Sequence, residues 1–362
     1  MFYQLPPAGD PIVLHQAAAN AEGLQQLFLP WSPRFYASGT AALGASIRTA
    51  LGLSRVKVPE VILPAYGCPD LVSAALFAGA RPVLVDLEPD RPWLDLDRVA
   101  SQITPSTVAI VAVNLFGIPE RLAVLRELIG PRPILLIEDS AQAFPTGPAS
   151  DPWQGDLVVL SFGRGKPVTL LGGGAALYRD SVLGDLLPPA KHVDDPEESN
   201  RRFRVLARLY NLMSHPGMYW IPHGLPFLHL GETRYHPLSA VQPMSGSHFR
   251  LLAGNIEAYR RRDQHTQHQL AAMLAESDEE MGYLINLPRI CGLDAHSRLL
   301  RYPLLVAPGR RDPLLRLFNK QGLGATGMYP SALPSISGLE YLLQDQGPFP
   351  AAEEFARRIV TL

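Results

Sequence analysis

Residues 155–174 read GDLVVLSFGRGKPVTLLGGG, and this stretch decides the fold. It opens as an apolar strand over 157–160, breaks at a glycine-rich bend carrying one lysine, Lys166, and resumes as an apolar run after three glycines. Pro167 biases Lys166 away from helical φ/ψ, so the lysine belongs to a loop at the end of a buried strand. A lysine held against an apolar sheet is desolvated, which disfavours its ammonium and frees the amine for Schiff-base chemistry. Taken alone, Lys166 reads more simply as a solvated loop lysine. A phosphate loop is rejected, because Pro167 stands where Ser or Thr is required and the glycine before Gly165 is only two residues back.

The surrounding chain is 47% hydrophobic and 18% charged over 362 residues, which suits one or two globular domains with a large core. A net charge of -2 gives no reason to expect nucleic acid or a membrane as partner. Cys68 and Cys291 make neither a disulfide framework nor a metal-ligand spacing, which fits a reducing, cytoplasmic setting. His215, His223, His229 and His236 have no ligand spacing, so no metal site is expected. The start, MFYQLPPAGDPIVL, lacks the features of a signal peptide, and no apolar run reaches membrane-spanning length.

Upstream of Lys166, apolar strands alternate with helices. Strands are expected over 58–63, 82–87, 107–117 and 133–143, and helices over 15–28, from Thr40 onward, 95–103 and 119–129. Strands apolar throughout and separated by helices predict a mostly parallel sheet covered on both faces. Ligands of such sheets bind beyond the carboxyl ends of the strands, where Asn114, Asp139 and Ser161 fall. The Ser38-Gly39-Thr40 start of a helix leaves backbone N–H groups directed outward, which suits either an ordinary cap or a phosphate. Asp139, ending a Leu-Leu-Ile strand, requires a positive partner: a structural arginine or a protonated ring nitrogen of a ligand.

Downstream, residues 198–213 predict an amphipathic helix with a solvated arginine face, and 216–230 read as an aromatic, Pro-rich irregular segment covered by something, such as a second subunit. A long helix over 249–281, a strand over 299–306, a helix over 311–321 and a final helix over 351–360 suggest a smaller α/β domain. The chain then divides into an arm (1–30), a large domain (31–247) and a small C-terminal domain (248–362). GLGATG at 322–327 matches GxGxxG but follows a helix and closes on Tyr329-Pro330, so a dinucleotide site is rejected, and with it a nicotinamide-dependent oxidoreductase.

The ordered motifs SGTAAL (38–43), GARPVLVDL (79–87), NLFG (114–117), EDSAQA (138–143) and GD-x4-SF-x3-K with the following GGG together resemble the DegT/DnrJ/EryC1/StrS family of pyridoxal-phosphate sugar aminotransferases. The resemblance is good from about 30 to 180 and weaker beyond. It implies the α/β fold type I of PLP-dependent transferases, with pyridoxal 5'-phosphate as cofactor, in a homodimer. It implies an amino donor, commonly glutamate, and a keto-sugar acceptor, typically nucleotide-linked, in sugar or surface polysaccharide biosynthesis. By that likeness Lys166 is the Schiff-base lysine and Asp139 the partner of the pyridine nitrogen. Gln142 lies by the 3-hydroxyl, and Gly39, Thr40 and Ser161 cradle the phosphate. The family's ring-stacking aromatic position is Cys68 here, leaving either Tyr66 or the Cys68 thiol on the ring. Asn114 stands where the family has histidine. The N-x-R expected near 235–237, whose asparagine reaches the partner subunit's cofactor phosphate, is absent. Retained Lys166 opposes the family's dehydratase branch, which has histidine there. A non-catalytic relative with a binding role is the competing reading.

Overall fold

The computed structural model describes residues 4–6, 10–15, 21–146, 153–190, 196–223, 231–277, 284–294 and 297–362. Seven strands make the larger sheet: β1 (Ser32–Tyr36), β2 (Glu60–Pro64), β3 (Arg81–Val85), β4 (Thr107–Val113), β5 (Leu135–Asp139), β6 (Leu157–Ser161) and β7 (Gly174–Tyr178), in the order β1-β7-β6-β5-β4-β2-β3. From β3 to β6 neighbouring strands are parallel. The run after the three glycines turns back instead, so β7 lies antiparallel between β6 and β1. Successive side chains of β4 enter opposite cores, Val111 and Val113 one and Ile110 and Ala112 the other. A strand covered on both faces has no solvated side for a polar residue, which is why these segments are apolar at every position.

The helices around this sheet are α1 (Ala21–Gln26), α2 (Gly39–Leu53), α3 (Asp70–Ala78), α4 (Leu96–Gln102), α5 (Leu122–Ile129), α6 (Ser181–Leu186), α7 (Glu197–Met213), α8 (Trp220–His223), α9 (Gly246–Arg261) and α10 (His265–Ser277). Helix α2 matters most for the site. Its Ala41, Ala42 and Ala45 are fully buried, and these short side chains let it settle close on β6 and β7. A smaller antiparallel sheet, ordered β10-β9-β8, holds β8 (Leu284–Asn286), β9 (Pro303–Val306) and β10 (Ile359–Thr361), with α11 (Leu287–Ile290), α12 (Arg311–Lys320) and α13 (Pro350–Arg358) around it.

The two sheets are joined directly. Leu300 N–H donates to Phe116 O at 2.8 Å and Leu333 N–H to Ala65 O at 2.8 Å. Asp86, just past β3, caps α13: its two carboxylate oxygens accept from Ala351 N–H (3.1 Å) and Ala352 N–H (2.8 Å). Arg301 is buried, and its guanidinium donates to Thr361 Oγ1 (2.7 Å), Thr361 O (2.8 Å) and Gly324 O (2.8 Å), fixing β10. Helix α9, assigned by sequence to the C-terminal unit, places Leu251, Leu252 and Ile256 in one core with Val158 and Leu160 of β6.

Several expected elements change. The strand over 107–117 stops at Val113 and gives way to a 3₁₀ turn, and that over 133–143 stops at Asp139. The helix over 119–129 starts at Leu122. The helix over 249–281 is two: Arg262 leaves helical φ/ψ at the end of α9, and Asp263 Oδ1 accepts from His265 N–H (2.8 Å) to start α10. An Asp after three arginines was a readable cap. The last helix ends at Arg358, and residues 359–361 become a strand. Strands β1, β8 and β10 were not expected. Parts of the expected 15–28 and 249–281 helices and of the 216–230 segment lie outside the described residues, as does His229.

Where α2 meets the strands, only glycine fits. A Cβ on Gly174 would lie 2.5 Å from Gly39 N and from the Ser38 carbonyl carbon, both backbone atoms. Gly174→Ala is expected to cost about 1–3 kcal/mol and lower Tm by several degrees in a thermal melt. Gly52→Ala in the same helix, whose nearest added contact is 3.8 Å away, is expected to hold or raise Tm. Equal melting of Gly174→Ala and the parent would contradict the close approach.

Candidate active site

One edge of the large sheet gathers the residues singled out in the sequence. It comprises the carboxyl ends of β1, β2, β5 and β6, together with the amino end of antiparallel β7. At the end of β5, consecutive carboxylates point to opposite faces. Glu138 is buried in a network, accepting from Gln154 N–H (2.8 Å), Asn114 Nδ2 (2.9 Å), Gly155 N–H (3.0 Å) and Ser140 Oγ (3.3 Å). Burial raises its pKa and these donors oppose the rise. Glu138 therefore braces the loops around β5.

Asp139 is as buried, at 8% exposure, and far less satisfied. Its Oδ1 accepts from Ala141 N–H at 3.0 Å, and among the described residues no cation pairs with it. Burial raises its pKa most; the Ala141 N–H and the charge of Lys166 pull it down, while Asp70 pushes it up. The structural arginine that would have explained Asp139 blandly is not found among those residues. Lys166 lies within electrostatic reach instead.

Lys166 sits in a loop pinned at both ends. Phe162 N–H donates to Gly173 O (2.9 Å), and Leu170 N–H donates to Phe162 O (2.7 Å). Within it, Gly165 takes φ 70, where a side chain is strained, and Thr169 Oγ1 donates to Lys166 O (2.9 Å). The lysine is half-buried.

The α2 N-terminus faces the end of β6. Ser38 caps it, its Oγ accepting from Ala41 N–H (3.0 Å). A Cβ on Gly39 would come within 2.6 Å of Ser161 Cβ and 2.8 Å of its Oγ, so the hydroxyl stands beside the first turn of a fifteen-residue helix. That turn carries N–H groups with no intrahelical acceptor. Thr40 Oγ1 donates to Asp70 Oδ2 at 2.7 Å, so a second acid borders this corner.

Three expectations change here. Tyr66 is wholly buried, edge-on to Tyr329 (5.5 Å) and Phe355 (5.1 Å), with its hydroxyl donating to Tyr329 O (3.3 Å). It is packed into the core, and the other candidate is Cys68. That thiol is half-buried and pushed up to about 12, first by burial and then by Asp70, with Lys166 opposing. Asn114 has its amide taken up within the protein. Its amide donates to Glu138 and Ser140 Oγ (2.7 Å), and its Oδ1 accepts from Glu120 N–H (2.9 Å). Gln142 is tethered, accepting from Phe116 N–H (2.7 Å) and donating to Tyr329 Oη (2.9 Å), so it borders the site through Tyr329. Sequence reasoning missed two members of the cluster. Tyr329 is buried, and its hydroxyl is raised by burial and then by Cys68, Tyr66, Asp139 and Asp70; only the final Tyr of GLGATGMY hinted at it. Asp70 gave no signal beyond an acid at a helix start.

Two open clefts of about 380 Å³ each lie outside this cluster. One is on the Glu138 side, bordered by Asn114, Ser140 and Trp153; the other is bordered by Pro167, Thr169 and Asn255. Neither is lined by Lys166 or Asp139, so geometry and charge locate the site better than cavity volume does.

Residues 35–188 match the family model of the DegT/DnrJ/EryC1/StrS aminotransferases. The chain is 34% identical to L-glutamine:2-deoxy-scyllo-inosose aminotransferase of Streptomyces kanamyceticus, over 43% of this chain and only 40% of that protein. It is 26% identical to dTDP-3-amino-3,4,6-trideoxy-alpha-D-glucose transaminase of Micromonospora megalomicea subsp. nigra, over 78% of this chain and 68% of that one. The structure of S. venezuelae DesV, solved with a ketimine intermediate, superposes with a TM-score of 0.68 at 22% identity, covering 96% of this chain and 84% of that one. The chain shares the fold of that aminotransferase structure. The likeness to the DegT/DnrJ/EryC1/StrS aminotransferases is thus carried by residues 35–188, and the chain spans about two fifths of the length of the curated relatives it matches at above 30% identity.

Proposed function

We propose that the protein is a PLP-dependent aminotransferase that carries an amino group from an amino acid, glutamate in this reading, to a nucleotide-linked keto-sugar. The setting is cytoplasmic sugar or surface polysaccharide biosynthesis, with a homodimer as the working unit. One observation carries the reading: a buried carboxylate, Asp139, has no paired cation among the described residues and stands in charge range of the loop lysine Lys166.

The residues fit pyridoxal phosphate by the chemistry of their donors. The α2 N-terminus at Gly39 and Thr40, with the Ser161 hydroxyl beside it, suits a phosphate. Asp139 suits a protonated ring nitrogen, whose positive charge would offset its burial. Cys68 offers a small, polarizable contact to the ring, and Lys166 an amine for the aldehyde. When bound, the cofactor supplies an electron sink for the bond broken at the donor's α-carbon. Lys166 would hold the cofactor through its amine and, once freed by the donor, would serve as the general base and then the general acid that moves the donor's proton. Asp139 would keep the ring nitrogen protonated. Tyr329, held by Gln142, closes the edge of the site next to Cys68.

Lys166→Ala is expected to lose the borohydride-reducible visible band of a lysine-linked cofactor and at least roughly 10²-fold in turnover. Its far-ultraviolet circular dichroism is expected to match the parent. A variant that still yields a borohydride-fixed cofactor peptide would overturn the assignment of Lys166. A parent that forms the band yet shows no half-reaction with amino donors would be a binding relative and not a transferase.

Asp139 gives a prediction of opposite sign for stability and activity. Because its folded pKa is raised above 3.8, its contribution to stability is fully present below pH 3.8 and is lost as pH rises through the higher folded value. At pH 7 the cofactor-free protein therefore carries an unfavourable charge. Asp139→Asn is expected to raise the Tm of the cofactor-free protein at pH 7, with the gap closing towards pH 4. Turnover of the loaded enzyme is expected to drop by about 10²-fold or more, as for loss of one preorganised electrostatic partner. Unchanged turnover, or a lowered Tm at pH 7, would contradict the role.

A further inference from the structure

Helix α7 is apolar on two sides. On the inner side Ala207 is fully buried, and Asn211 holds the N-terminal segment, donating to Ile12 O (2.8 Å) and accepting from Ile12 N–H (2.7 Å). On the opposite side Val205, Leu209 and Leu212, spaced i, i+4, i+7, form a ridge directed at solvent, 57%, 51% and 52% exposed. Leu206 widens it. At helical spacing Arg201 and Arg208 flank one side of this ridge and Arg202 the other. Arg201 and Arg208 are exposed and take part in no ion pair among the described residues, while Arg202 pairs with Glu198 at 3.0 Å. The helix's acids, Glu197 and Glu198, are confined to its first turn. What remains is an apolar spine with Glu198 at its amino end, paired to Arg202, and two arginines unpaired among the described residues, Arg201 and Arg208, along one edge.

Charge decides what covers it. A twofold contact with a second copy sets the patch against itself, and about this ridge it brings arginine towards arginine. A neutral apolar partner would leave the arginines unmatched. An anionic lipid surface satisfies both features. We propose that α7 docks the protein on an anionic bilayer, with Val205, Leu209 and Leu212 entering the headgroup boundary and Arg201 and Arg208 meeting lipid phosphates. The attachment is peripheral, since no helix among the described residues is long and apolar enough to cross a membrane. The helix also ends near the lysine loop: the charge of Arg164, two residues before Lys166, acts on Tyr210 of α7 and on Tyr219.

Cosedimentation of the full-length chain with vesicles tests this. Binding is expected to phosphatidylcholine vesicles containing phosphatidylglycerol, at least about tenfold above pure phosphatidylcholine, and to fall as salt is raised. Arg201→Gln combined with Arg208→Gln is expected to weaken it roughly 30-fold. Leu209→Ser with Leu212→Ser is expected to remove it, with circular dichroism confirming the fold. Leu209→Trp reads the contact directly, through a blue shift of emission when anionic vesicles are added. Three results would each overturn the proposal: no binding to phosphatidylglycerol vesicles, equal binding to both vesicle types, or a dimer in sedimentation velocity that the Leu209→Ser, Leu212→Ser variant converts to monomer.

Discussion

A carboxylate kept from water at the end of a strand is the constraint around which this molecule is arranged. Asp139 receives one short-range donor, the Ala141 N–H, and the more distant charge of Lys166. Such a group is unfavourable for folding unless a cation arrives. Its neighbour Glu138, equally buried, is surrounded by four donors and stabilises loops without further help. Two acids one residue apart thus divide the work, because strand geometry sends them to opposite faces. The side supplied with donors is scaffold, and the side left short is the chemical side.

Much of the large sheet was legible because its strands are short, apolar throughout and bounded by Pro and Gly. Covered on both faces, they leave no polar alternation to confuse the reading. Lys166, Asp139, Gly39 and Ser161 were legible for a related reason: each departs from the local pattern of a buried strand end or helix start. What the sequence hid depends on distant partners. Tyr66 looked like a site aromatic until Phe355 and Tyr329, far along the chain, closed over it. Asn114 looked exposed to a ligand until Glu120 and Glu138 took up its amide. Strands of three residues, such as β8 and β10, are too short to show a period at all.

Net charge speaks only for the chain as a whole. A value of -2 averages every residue, whereas recognition responds to local charge. The arginines of α7 are diluted in that sum, and its apolar residues look like an ordinary packing face until burial shows that Ala207 and its neighbours pack while Val205, Leu209 and Leu212 do not. The same helix thus explains both why a water-filled environment was expected for it and why solvent is an uncomfortable neighbour.

The attachment of the small sheet has its own implication. Asp86 caps α13, Phe116 receives Leu300 and Ala65 receives Leu333, so the C-terminal part is riveted to the large sheet at three separated points. Swinging it as a lid would break all three together. On the reading proposed for Lys166, exchange that keeps these contacts intact would fall to side chains and short loops, which rearrange faster than whole lobes.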